Sequence, residues 1–63
     1  MHDNNLYNLM LQLTVEERSL WRIKKEYIAD ATNDEDALRF WQDMAKDKEA
    51  HVAKLTELVK KNL

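Results

Sequence analysis

The chain has 63 residues and a formal net charge of −2, and it contains no Gly, Pro or Cys. Folds with many tight turns are excluded, because Gly supplies the positive φ angles and Pro the rigid breaks that such turns need. The absence of Cys excludes disulfides, thiolate metal sites and cysteine nucleophiles. Ten basic and twelve acidic residues nearly balance, which argues against a strong field that attracts nucleic acid or membranes.

A chain of this size has a small hydrophobic core. Area scaling predicts that folding buries only about 60% of the surface of the unfolded chain. Small domains usually gain stability from disulfides, a structural metal or oligomerisation, and disulfides are excluded here. We therefore expect the protein to associate with itself.

The amino-terminal segment gives no sign of export. Residues 1–5 lack the basic region and the apolar stretch of a signal peptide, and no run of 18 apolar residues occurs anywhere in the chain. We expect a cytoplasmic protein that does not associate with membranes.

Helix-forming residues fill the chain except at two polar clusters, residues 3–5 and residues 32–36. The sequence predicts a single domain over residues 1–63, with a helix over about residues 5–31, a turn at about 32–34 and a second helix over about 34–61. Thr32 or Asn33 is expected to cap the second helix. A capping-box pattern starts at Thr14, but the apolar spacing continues across it, so the first helix is predicted to be continuous there.

The two predicted helices carry matching apolar stripes. Spacings of three and four residues are typical of a coiled-coil-like seam. The stripe of the first helix comprises Leu6, Met10, Leu13, Glu17, Leu20, Lys24, Tyr27 and Ala31, and that of the second comprises Leu38, Trp41, Ala45, Lys48, Val52, Leu55 and Val59. These stripes predict an all-α fold, an antiparallel two-helix hairpin that dimerises into a four-helix bundle.

Further apolar residues flank the predicted seam on both sides. On one side they recur every seven residues and form a candidate interface for the second hairpin, comprising Leu9, Ile23, Ala37, Met44 and Leu58. On the other side Tyr7, Trp21 and Ile28 form a narrower row that is a candidate surface for a protein partner. Trp21 is the largest apolar side chain without a predicted contact inside the hairpin.

Polar residues replace apolar ones at the middle of both helices. An antiparallel register pairs Glu17 with Lys48 and Glu16 with His51, and these four residues form one layer. One interpretation is a structural layer that fixes register and oligomeric state. The other is a metal site, because a two-fold dimer brings two copies each of Glu16, Glu17 and His51 together, and carboxylate and imidazole groups bind iron, manganese or zinc.

The segment from Asp47 to Leu55 resembles the His-bearing helix of ferritin-like and rubrerythrin-like proteins, especially half-length forms in which two hairpins build one bundle. The resemblance covers about residues 13–58 and implies iron, manganese or zinc as cofactor. Glu16 or Glu17 matches the Glu on the first helix of the family, and His51 matches the His of its Glu-x-x-His motif. Lys48 stands where that motif has Glu, and an ammonium group cannot bind a metal ion.

The sequence favours a non-catalytic function. It has no Gly-rich phosphate loop, and Ser19 alone supports no Ser-His-acid arrangement. The preferred hypothesis is a helical-hairpin interaction or scaffold protein that acts through homo-oligomerisation. The alternatives are a ferritin-like metal-binding bundle and, third, a small RNA-binding hairpin dimer, which the chain resembles in length and architecture.

Overall fold

The computed structural model describes residues 4–63, which form two helical arms. The first arm comprises helix α1 (Asn4–Arg22), a π-helical turn (Ile23–Tyr27) and the short helix α2 (Ile28–Asp30), and the second arm is helix α3 (Glu35–Asn62). No strand occurs within residues 4–63, so the predicted all-α hairpin is confirmed for that range. Residues 1–3 of the predicted domain lie outside the described residues.

Helix α1 continues through Thr14, as its apolar spacing predicted. The hydroxyl Oγ1 of Thr14 donates a hydrogen bond to the carbonyl oxygen of Met10 at 3.1 Å. A threonine that bonds one turn back in this way satisfies its own hydroxyl without ending the helix. The capping-box pattern at Thr14 is therefore not used as a helix start.

The irregularity of the first arm lies instead at Ile23–Tyr27, where five residues form a π-helical turn. The N–H of Ile28 bonds to the carbonyl of Ile23, five residues back. Such a turn accommodates one extra residue and rotates the following segment relative to α1. Ile28 is consequently half-buried, whereas the predicted exposed row placed it beside Tyr7 and Trp21, which are exposed.

The turn between the arms is built without a residue of positive φ in the described chain. Ala31 ends the first arm, and its N–H donates to the carbonyl oxygen of Tyr27 at 3.1 Å. Asp34 caps α3, because its extended backbone lets Oδ1 accept the N–H of Ala37 at 3.0 Å. The expected caps, Thr32 and Asn33, precede that position, and α3 begins one residue later than predicted.

The seam of the first arm differs from the predicted stripe at alternate positions. Leu9, Glu16 and Ile23 are half-buried or buried, whereas Met10, Glu17 and Lys24 are exposed. A seam through the exposed set would enclose two charged side chains, whereas the observed seam encloses the single charge of Glu16. Burial of fewer charges costs less desolvation, which accounts for the observed phase. All seven predicted stripe residues of α3 are half-buried or buried.

The apolar core concentrates near the turn. Its buried hydrophobic residues are Ile23, Ala31 and Ala45, of which Ile23 is fully buried. The rings of Tyr27 and Trp41 pack at a centroid distance of 4.8 Å and join the two arms near the turn. Within residues 4–63, no helix has the length and apolarity needed to cross a membrane.

Candidate functional site

Glu16 is the buried charged residue of the described chain, with 6% of its surface exposed. It lies seven residues from both Leu9 and Ile23, and this heptad spacing brings it into the seam of α1. Lys48 and His51 lie three residues apart on α3 and therefore share one face of that helix. Helical spacing on both arms thus brings one carboxylate against two basic side chains.

The two carboxylate oxygens of Glu16 have separate partners. Nζ of Lys48 donates a hydrogen bond to Oε2 at 2.8 Å. Nδ1 of His51 lies 2.6 Å from Oε1 and must act as the donor, because an ionised carboxylate only accepts. No buried side-chain nitrogen or oxygen among residues 4–63 lacks a hydrogen-bond partner. The layer is therefore fully satisfied, as a buried polar cluster must be to avoid a large desolvation cost.

These contacts keep Glu16 ionised. The hydrogen bond from Lys48 is the largest influence that holds the pKa of the Glu16 carboxyl below its usual value, and the hydrogen bond from His51 acts in the same direction. Burial opposes them by penalising the charged carboxylate, but the resulting pKa is still lowered. Glu16 is thus ionised at neutral pH, and the cluster is an ionic contact between the two arms.

The structure brings together three of the four residues in the predicted polar layer. Lys48 pairs with Glu16 and not with Glu17, which is exposed on the outer side of the seam. Among residues 4–63, no three His, Asp or Glu side chains converge closely enough to hold a metal ion. A site made of Glu16, Glu17 and His51 is therefore not assembled within the single described chain, and a metal shared between two chains stays a prediction.

The residues predicted to form the interface with a second hairpin are only partly available. Ile23 has 1% of its surface exposed, so residues of its own chain already cover it and it adds nothing to an interface. The other members of that flank are half-buried, namely Leu9, Ala37, Met44 and Leu58. Trp21 retains 57% of its surface exposed and is available to a partner.

The largest exposed apolar side chains of α1 share one side of the helix. We call this surface the outer face of α1; it comprises Tyr7, Met10, Leu11, Val15 and Trp21, each of which is about half exposed or more. Spacings of three and four residues connect Tyr7 with Met10 and Leu11, and Leu11 with Val15, while Trp21 lies fourteen residues after Tyr7; at 3.6 residues per turn these positions lie on the side of α1 that faces away from α3. The sequence predicts Tyr7 and Trp21 in an exposed row, places Met10 in the seam, and assigns Leu11 and Val15 to neither; Met10 is instead exposed.

An open depression of about 280 Å³ lies beside the outer face of α1. It is lined by Tyr27 and by four residues of α1, namely Val15, Arg18, Ser19 and Arg22. Residues at positions i, i+3, i+4 and i+7 of a helix form the hole that receives a side chain from a second helix in coiled-coil packing. The depression therefore has the residue spacing of a hole that can receive a side chain from a second helix.

The chain matches no family model, no curated protein and no solved structure in the comparisons.

Proposed function

We propose that this chain is a non-catalytic helical-hairpin interaction module that acts by binding further copies of itself. The observation that carries the proposal is the amount of surface that the single hairpin leaves exposed. Its accessible surface is 5143 Å². A compact protein of the same mass exposes about 4,200 Å², so the excess is about 900 Å². A standard protein–protein interface buries about 800 Å² on each partner, which makes this excess large enough for a stable dimer.

The shape of the hairpin accounts for the excess. The radius of gyration is 14.4 Å and the molecule extends 51 × 14 × 13 Å. A compact domain of this length has a radius of gyration of about 10.6 Å. Two helices side by side can bury only the faces that they turn to each other, so large apolar side chains stay exposed. Association of hairpins into a bundle is the usual way to cover such faces.

Sedimentation equilibrium tests the proposed self-association. We expect a mass of at least two chains that rises with concentration across the micromolar range. Met44→Glu adds a charge on the flank of the seam that is predicted to bind the second hairpin, so dissociation of this variant would assign the contact to that flank. A constant mass of one chain over the same range, with helicity retained in circular dichroism, would contradict the proposal.

A metal-binding function is the second candidate, and the contact between Glu16 and His51 favours it. Histidines that bind metals commonly donate their other ring N–H to a carboxylate, which fixes the tautomer. Because Nδ1 of His51 lies against Glu16, Nε2 is the ring nitrogen able to bind a cation, and 60% of the side chain is exposed. In this arrangement Glu16 orients the imidazole of His51, whereas the sequence predicts Glu16 as a ligand of the metal.

Calorimetric titration with ferrous, manganous and zinc ions tests the second candidate. The variant Lys48→Glu restores the Glu-x-x-His spacing of the ferritin-like proteins and should bind these metal ions more tightly than the unmodified chain does. His51→Gln is the matched control and should abolish the heat of binding. Absence of binding by both the unmodified chain and Lys48→Glu would remove the metal-binding candidate.

A further inference from the structure

We propose that the outer face of α1 binds the same face of a second copy, with the two α1 helices antiparallel and the two-fold axis near Thr14 and Val15. The inference rests on the proposed self-association and adds the surface and the geometry. The occupant is a second copy because the excess exposed area of one chain matches the area that one partner buries in a standard dimer.

The depression beside the outer face fixes the register of the two helices. Its centre lies between residues 18 and 19, since Val15 and Arg22 are its end residues on α1. Leu11, which is 52% exposed, lies one helical turn before Val15 on the same flank of α1. A Leu11 side chain enters the depression of the second copy when the two-fold axis passes near residues 14–15. Each copy then supplies one side chain and one depression, as an isologous interface requires.

The two aromatic residues of the face give the same register independently. Tyr7 and Trp21 lie at opposite ends of the face, seven residues on either side of Thr14. With the two-fold axis at Thr14, Tyr7 of each copy lies opposite Trp21 of the other. Tyrosine and tryptophan are enriched among the residues that dominate interface energies, and here the two rings cover both ends of the contact.

The centre of the face suits close approach of two helices. Thr14 and Val15 are smaller than the aromatic residues at the ends, so the helix axes can come together there. The Thr14 hydroxyl already donates to the Met10 carbonyl at 3.1 Å, so exclusion of water leaves no unsatisfied donor. The interface thus buries a threonine without the cost of an unpaired hydroxyl.

The charges of α1 select the antiparallel arrangement. In a parallel pair, Arg18 of one copy would face Arg18 of the other, and Arg22 would face Arg22. Like charges at the same level of two packed helices repel each other. In the antiparallel pair these arginines lie around Leu11 and near Tyr7 of the second copy, where their aliphatic stems pack and the guanidinium groups can lie over the aromatic ring.

Sedimentation equilibrium of two matched variants tests the surface. Leu11→Glu places a charge in the depression of the second copy and should raise the dimer dissociation constant on the order of 100-fold. Gln12→Glu adds the same charge at an exposed neighbour outside the outer face and should leave the dissociation constant unchanged. A dimer that persists in Leu11→Glu but dissociates in Met44→Glu would overturn this surface while the proposed self-association stands. A monomeric unmodified chain would overturn both.

Cross-linking tests the direction of the helices, and the absence of native Cys leaves a single reactive position in each variant. Asn8→Cys and Arg22→Cys are mixed in equal amounts and treated with a short bis-maleimide. The antiparallel pair brings these two positions together, whereas two copies of position 8 lie about 20 Å apart along the helix. We expect the mixed dimer to dominate. Predominant cross-linking of Asn8→Cys to itself would overturn the antiparallel arrangement.

Discussion

Glu16 joins the two arms through its charge, because Lys48 and His51 each hold one of its oxygens. A buried ion pair costs desolvation that its attraction only partly offsets, so its presence is weak evidence of stabilisation. Removal of one member is different, because it leaves the other buried without its partner. The contribution of the layer is therefore best measured by comparing single and double substitutions.

Lys48→Met should lower the free energy of unfolding by about 2 kcal/mol, because Glu16 then keeps only the bond from His51. Lys48→Met combined with Glu16→Leu should restore or exceed the original stability, since both members of the mostly buried pair become apolar. Chemical denaturation monitored by circular dichroism measures both changes.

Lys46→Met is the matched control, since it removes the same charge at an exposed position of α3 and should change stability by less than about 0.5 kcal/mol. Equal stability of Lys48→Met and Lys46→Met would show that the cluster does not join the arms.

Glu16 also predicts a particular dependence of stability on pH. Because its pKa in the folded chain is lowered from 4.5, its contribution is fully present above that value. The contribution is lost as the pH falls through the lower pKa of the folded state, since the unfolded chain binds the proton first. Glu16→Gln should therefore flatten the fall in melting temperature on acidification, whereas Glu17→Gln, an exposed neighbour, should leave it in place. A direct NMR titration of the Glu16 carboxyl should give a midpoint below 4.5.

At the scale of the helices, the π-helical turn Ile23–Tyr27 allows the apolar residues before it and those after it to face α3 together, which a regular helix would not allow. Before the turn the seam passes through Leu9, Glu16 and Ile23, and after it Ile28 and Ala31 lie against α3. The one extra residue lets both segments face the second arm.

Deletion of Lys25, an exposed residue of the π-helical turn, should convert the turn to regular α-helix and preserve the seam on both sides. We expect a change in unfolding free energy within about 1 kcal/mol, in the range of ordinary surface changes. Deletion of Arg18 within regular α1 is the control, and it should rotate one side of the seam by roughly 100° and unfold or strongly destabilise the hairpin. Thermal denaturation of the two deletion variants decides between them, and comparable losses would contradict this account of the turn.

The sequence predicted the arms of the hairpin closely and the phase of the first seam only in part. Leu6, Leu13 and Leu20 belong to both the predicted and the observed stripe, because the two stripes have the same residue at every second position. The intervening positions differ by one residue, and the choice depends on which charge finds partners across the seam. Glu16 is favoured by contacts with Lys48 and His51, a tertiary effect that spacing along one helix does not contain. The π-helical turn carries no Gly or Pro that would have marked it.

At the scale of the whole molecule, the hairpin combines a thin core with a large surface. The buried apolar residues of the described chain lie in the half near the turn, namely Ile23, Ala31 and Ala45. The half that carries the chain ends depends on partly exposed leucines and valines. A second copy on the outer face of α1 would cover that weaker half, because the face extends from Tyr7 to Trp21.

The melting temperature should therefore rise with protein concentration. Association of the folded state, but not of the unfolded state, stabilises the fold by mass action. Each tenfold increase in protein concentration then raises the free energy of unfolding by up to about 1.4 kcal/mol. Differential scanning calorimetry from low to high micromolar concentration measures the trend. Leu11→Glu should remove the trend, and a melting temperature independent of concentration in the unmodified chain would contradict association at these concentrations.

The short turn between two arms has a consequence for the order of folding. Tyr27 and Trp41 close a loop less than half as long as the one closed by Glu16 and His51. Loop-closure entropy makes the shorter closure cheaper by about 0.8 kcal/mol, and the aromatic contact then brings the next pair of turns within reach. Contacts that close in this sequence have low contact order, which is typical of rapid folding. Contacts between the arms should therefore form in order from the turn towards the chain ends. The ring contact of Tyr27 with Trp41 forms early, and the ionic contact of Glu16 forms later.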